Sequence, residues 1–270
     1  VLVARISIFM AIITLTTDFG WSDYFVGAMK GIIYQIAPVT TVVDITHDIQ
    51  PHDILAGALV LREIWRTFPP KTIHVAVVDP GVGSHRPILL ARYANQFFLV
   101  PDNGIITFIH QSYKPDQVNL VANDSLFCQP VSPTFHGRDI FAPVAAHLAK
   151  GLNPDQIGPR TEIICLLDIP IPKTTPEGNI AGSIIHVDRY GNLITNITQE
   201  QLRRFAGKEK IPNIHLDGTL IGPLRLTFSE VPVNHPLAYI GSAGLLEISV
   251  NQARADVLLK PTSTSKVEIR

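Results

Sequence analysis

The 270-residue chain lacks the features that would tie it to a charged polymer or an oxidising compartment. Its 22 Lys and Arg residues against 23 Asp and Glu leave a net charge of -1. That balance offers no attraction to nucleic acid or to an anionic membrane. There are two cysteines, Cys128 and Cys165, with no metal-ligand spacing between them. A disulfide framework is therefore not expected, and two plain thiols in a reducing, cytoplasmic setting are. The apolar stretch at residues 1–15 has one basic residue, Arg5, and no small-residue cleavage site. It is also shorter than the roughly 20 residues that a membrane span needs. Met10 offers an alternative start, with residues 1–9 as an upstream extension. No internal repeat or low-complexity segment is present.

What the chain does have is enough apolar residue, 46%, for one large core or two. Up to about Leu148 strand and helix patterns alternate. Residues 12–17, 41–45, 73–78, 88–91 and 97–100 read as short strands. Residues 24–36, 53–65 and 137–150 have apolar positions at helical spacing. Such alternation predicts an α/β domain with a mostly parallel sheet. Prolines 154, 159, 170, 172 and 176 then mark a linker. The boundary falls near Ile171, giving domains 1–170 and 171–270. Beyond it, residues 181–187, 193–197, 223–228, 237–240, 245–250, 257–259 and 267–269 read as strands. They predict a smaller all-β, barrel-like domain, with one short helix opened by the capping-box pair Thr198 and Gln201.

Chemistry collects at strand ends. Asp18, Asp44, Asp79 and Asp102 each close or follow an apolar run, although a carboxylate gains nothing from burial. The turn after residues 73–78 reads Asp79-Pro80-Gly81-Val82-Gly83, with Arg86 on its far side. It lacks the lysine of a phosphate loop and the third glycine of a dinucleotide fingerprint, so neither phosphate reading holds. Ligands of open parallel sheets sit beyond the carboxyl ends of the strands. Asp23, His47, Asp48, His52, Asp53, His85 and His136 fall in loops of the same kind. They could ligate a metal, although no established ligand motif is among them; alternatively, they could bind an organic molecule rich in hydroxyl and ammonium groups. In the second domain, Tyr190-Gly191-Asn192 reads as a turn, and Glu247 is an acid inside an apolar strand.

Five motifs in order carry a resemblance: Thr16-Thr17-Asp18-Phe19-Gly20, Asp79 to Arg86, Phe135-His136-Gly137-Arg138-Asp139, Asp188-Arg189-Tyr190-Gly191-Asn192, and Ser242-Ala243-Gly244-Leu245-Leu246-Glu247. From Met10 onward the chain resembles the S-adenosylmethionine hydroxide adenosyltransferases, relatives of the fluorinase and chlorinase. The resemblance implies hydrolysis of S-adenosyl-L-methionine to adenosine and L-methionine, without a cofactor or metal. It implies a homotrimer with active sites at subunit interfaces. By position, Asp79, Arg86 and His136 match the hydroxide-activating trio, and Asp18 the residue on the ribose hydroxyls. Asn192, Val250 and Asn251 match the adenine pocket; Asp23, Asp188 and Ser242 match groups around the methionine end. Tyr190 and Glu247, inside the same motifs, join the substrate-binding set.

In halogenating relatives a tyrosine replaces Asp79 and a hydroxyl residue replaces Gly137. A halide 4 Å from a desolvated carboxylate meets about 4 kcal/mol of repulsion at an effective dielectric of 20, so the resemblance implies water as the nucleophile. Two positions depart from the fluorinase: Ala243 stands where it has a carboxylate-binding arginine, and His52 where it has a ribose-stacking tryptophan. The residues alone also admit a metal-dependent phosphoesterase, or a non-catalytic protein binding adenosine or S-adenosylmethionine.

Overall fold

The computed structural model describes residues 11–206, 211–262 and 264–270. The expectation of a start at Met10 lies outside the described residues. Two compact units divide the chain, the first ending at Leu167 and the second covering Asp168–Arg270.

The first unit is an α/β layer structure. Its strands are β1 (Ile12–Thr17), β2 (Thr41–Thr46), β3 (Ile73–Val77), β4 (Ile88–Tyr93), β5 (Gln96–Pro101) and β6 (Gln117–Leu120). Its helices are α1 (Phe25–Ile36), α2 (Ile54–Ile64), α3 (Thr107–Ser112) and α4 (Ala142–Ala149). The sheet order is β2-β1-β3-β5-β4-β6. β2, β1, β3 and β5 run parallel, whereas β4 runs antiparallel to both β5 and β6. The sheet is therefore mixed, which corrects the expectation of a mostly parallel one. The cause is local. Ala94 and Asn95 alone separate Tyr93 from its partner Gln96, both at positive φ. A two-residue loop can only return the chain antiparallel, since parallel neighbours need a crossover of a dozen residues or more.

Alternation along β3 sends Ile73, Val75 and Val77 to a core beneath α1 and α4. Ala76 and the following Val78 go to a second core with Leu61, Ile105 and Ile109. Sequence periodicity passed over α3 and β6, both short.

The helix expected at residues 137–150 is interrupted. Residues Gly137–Phe141 form a wide π-type turn, in which the Ala142 N–H reaches back to the Gly137 carbonyl. Pro143 opens α4 and has no N–H to donate. The Asp139 carbonyl thereby becomes available to accept the Cys128 N–H at 2.9 Å.

The second unit is a closed barrel of seven strands. These are β8 (Ile180–Val187), β9 (Leu193–Thr198), β10 (Asn213–Leu216), β11 (Thr219–Arg225), β12 (Pro236–Ile240), β13 (Leu245–Val250) and β14 (Lys266–Ile269), with the short β7 (Lys173–Thr174) added on β8. The pairing of β14 with β8 closes the ring. One junction, β11 with β12, is parallel. It follows Pro223, which cannot donate to a ladder and sits where β11 changes partner from β10 to β12.

Thr198 and Gln201 exchange the expected capping-box bonds at the start of α5 (Gln199–Ala206). Residues 257–259, expected as a strand, belong instead to helix α6 (Ala255–Leu259). Val257 and Leu258 are exposed there, so their apolar run does not report burial. Three apolar residues cannot distinguish a strand from a helical turn.

Candidate active site

β1 and β3 are adjacent and parallel, and their last paired residues are Thr17 and Val77. The register therefore brings Asp18 and Asp79 out at the same end of the sheet, on neighbouring strands. Asn103 secures this end of β3 by donating its side-chain amide to the Val78 carbonyl at 2.8 Å.

Beyond β3 the chain turns back at once. Gly83 has φ +76 and lies so close to the Pro133 carbonyl that a side chain there would overlap it. Only glycine satisfies both demands. The contact seats the turn against the segment that leads into His136. Arg86, on the return, forms an ion pair with Asp79 through Nη2 and Oδ2, both side chains being nearly inaccessible. His136 is close enough to act electrostatically on both.

Three buried polar atoms at this place find no partner within the protein: Asp79 Oδ1, Arg86 Nε and His136 Nδ1. An unmatched buried polar atom costs about 1–3 kcal/mol, so three from adjoining residues form a costly arrangement. Burial raises the Asp79 carboxyl, and Arg86, with the Gly81 N–H, offsets only part of that rise. Burial, followed by the Arg86 charge, lowers His136 below its ordinary value despite Asp79 and Asp139 nearby. The arrangement combines an acceptor of raised basicity, a cation that orients it and a neutral imidazole. Asp139 supports this imidazole's turn by accepting from Arg138 and from the Ser132 N–H at 2.8 Å.

The other strand-end acids have defined occupations. Asp18 Oδ2 accepts the His52 N–H at 2.9 Å. Asp53 caps α2 through Ala56 N, Asp102 accepts from Cys165 N, and Asp44 is shared by Lys30 and His47. Asp23 is exposed between β1 and α1, as are Asp48 and His85 in their own loops. Among the described residues, no group of three or more His, Cys, Asp or Glu could hold a metal ion. Nor is any described helix long and apolar enough to cross a membrane.

In the second unit the structure brings Tyr190, Asn192 and Val250 together in a cavity of about 600 Å³. Asp188 lies behind it. Its carboxylate accepts the backbone N–H groups of Tyr190 and Asn192 and the Asn192 side-chain amide, all at 2.8 Å. Glu247 is buried and accepts the Tyr239 hydroxyl at 2.6 Å. A Cβ on Gly241 would overlap the buried Glu247 carboxyl, and the turn that follows carries the exposed Ser242. Asn251 donates to the Val231 carbonyl. Asp188, Ser242, Glu247 and Asn251 thus stand outside the cavity lining. Phe228, Tyr239 and Arg254 line it and were not singled out from the sequence. The pairing of Tyr239 opposite Glu247 is a register fact that composition does not carry.

Family comparisons cover both units. The model of the SAM hydroxide adenosyltransferase N-terminal domain matches residues 13–158, and that of its C-terminal domain residues 182–268. The chain is 36% identical to an "(R)-S-adenosyl-L-methionine hydrolase" of Thermus thermophilus, over 88% of this chain and 91% of the relative. A more distant relative, a "Fluorinase" of Actinoplanes sp., is 27% identical over 90% of this chain and 91% of its own. The crystal structure of an uncharacterized conserved protein from Thermotoga maritima superposes with a TM-score of 0.87 at 32% identity, covering 95% of this chain and 99% of that one. With both domain models matched in order, the chain belongs to the SAM hydroxide adenosyltransferase family.

Proposed function

We propose that this protein hydrolyses S-adenosyl-L-methionine to adenosine and L-methionine, with water attacking the ribose 5′ carbon. The observation that carries the mechanism is the set of unpartnered atoms on Asp79, Arg86 and His136. The names of relatives at 34–36% identity, all (R)-S-adenosyl-L-methionine hydrolases, support the substrate.

The leaving group is a neutral thioether departing from a sulfonium, so the reaction needs no general acid. It needs a better nucleophile than water, whose pKa is about 15.7. A positioned base in line with the 5′ carbon supplies one. Asp79 Oδ1 and His136 Nδ1 are the acceptors in reach of that role, and the pair titrates as one unit. Arg86 holds Asp79 ionised and oriented. Asp18 takes the ribose hydroxyls, and the cavity at Tyr190, Asn192 and Val250 takes adenine. Asp23 and Ser242 belong to the methionine end, with Asp188, Glu247 and Asn251 supporting the walls. No cofactor or metal enters this reaction. The assembly proposed is a cytoplasmic homotrimer in which a neighbouring subunit completes each site; light scattering tests its mass.

Turnover of S-adenosylmethionine in oxygen-18 water decides the chemistry. Labelled adenosine is expected, and unlabelled adenosine or none overturns the proposal.

A further inference from the structure

A second polar chain lies under the β1 end, outside the trio. The Thr17 hydroxyl is 2.7 Å from His47 Nδ1, His47 Nε2 is 3.0 Å from Asp44 Oδ1, and Lys30 Nζ of α1 is 2.5 Å from Asp44 Oδ2. The order Thr-His-Asp has the form of a nucleophilic triad, but its burial forbids that use. Thr17 and His47 are both fully inaccessible, so no substrate reaches the hydroxyl.

The direction of each bond follows from chemistry. A carboxylate only accepts, so His47 Nε2 carries the hydrogen that faces Asp44. In the Nε2–H tautomer Nδ1 accepts from the Thr17 hydroxyl. The Thr17 oxygen in turn accepts the Phe19 N–H at 3.2 Å. Two further contacts tie the same turn to His47: its carbonyl accepts the Gly20 N–H at 2.8 Å, and the Trp21 ring stands edge-on to its imidazole at 4.6 Å. Asp18 lies between Thr17 and the tethered Phe19 amide.

We propose that His47 is a positioning residue for substrate. The wire from Lys30 through Asp44 and His47 to Thr17 fixes the turn at residues 17–20, and with it the direction in which Asp18 meets the ribose. This rests on the proposed function through the role of Asp18 alone. It also gives Asp44 and His47 a purpose that neither a metal site nor the trio supplies.

Two substitutions separate the halves of the wire. In His47→Asn the side-chain oxygen stands where Nδ1 is, keeping the bond from Thr17 and losing Asp44. In His47→Gln the amide stands where Nε2 is, keeping Asp44 and losing Thr17. The readouts are KM and kcat for S-adenosylmethionine, relative binding of adenosine and 2′,3′-dideoxyadenosine, and hydrogen exchange of the Phe19 and Gly20 amides.

In His47→Gln, KM is expected to rise about tenfold with kcat nearly kept, preference for adenosine over the dideoxynucleoside to shrink, and Phe19 exchange to quicken. His47→Asn should restore all three towards the parent. Equal losses in the two variants, following their melting temperatures, would show a merely structural histidine and overturn the proposal. If the parent protein binds neither nucleoside and turns over no S-adenosylmethionine, the functional reading fails. The exchange contrast at Phe19 then decides the wire by itself, equal rates in both variants overturning it.

Discussion

Asp79 and Asp188 each follow a strand and open a glycine turn, one in the α/β unit and one in the barrel, yet their carboxylates live differently. Asp188 accepts three hydrogen bonds from its own turn and is consumed in building it. Asp79 is paired with Arg86 through one oxygen and keeps the other buried and unmatched. The same residue type is an organiser where its acceptors are filled and a reagent where one is withheld. The histidines of the first unit repeat the contrast. His74 bonds Thr14 and Gln96 through its two nitrogens and stacks on Phe98, whereas His136 Nδ1 has no partner.

The largest effect belongs to Asp79→Asn, which keeps shape but removes the base. A fall in kcat of about 10²–10⁴ is expected from the loss of general-base action, with adenosine affinity retained in calorimetry. Equal losses of rate and affinity would reduce Asp79 to a binding group.

His74 is expected to contribute to the loss of stability in acid. Burial lowers its pKa from 6.5 to about 4, the Gln96 bond offsetting only part. Between those values the unfolded chain takes a proton that the folded one refuses, so stability present above pH 6.5 is lost as pH falls towards 4. At about 1.4 kcal/mol per unit the loss approaches 3 kcal/mol. Urea midpoints across this range test it, and the slope should diminish in His74→Gln.

Asp188→Ala should act through binding, raising KM about tenfold while kcat changes little, because the Asn192 amide loses its anchor. Combined with Asn192→Ala, the two losses should fall short of additive. Full additivity would show that Asp188 acts independently of Asn192. The smallest effect is expected from Asp53→Ala at the cap of α2, about 1 kcal/mol of stability with unchanged kinetics.

The ends of β1 and β3 were legible because apolar runs stop abruptly at Asp18 and Asp79. Legible too were the turn at Asp188, the Thr198 capping box and the proline-marked change of character after residue 153. The hairpin of β10 and β11 escaped notice despite its Asp217-Gly218 turn, both residues at positive φ, a strong local signal. The aromatic cavity wall had no comparable sign. Phe228 and Tyr239 are distant in sequence from Asn192 and join it only when β12, β13 and β9 pair side by side.

Local chemistry thus determined which residues stand at strand ends and which turns carry glycine, because strand periodicity and backbone sterics act over a few residues. The tertiary structure decided how their polar atoms are spent. Whether a carboxylate is filled by its own turn, shared with a buried histidine or left with one oxygen unmatched depends on what folding brings within 3 Å, and sequence spacing does not encode that distance.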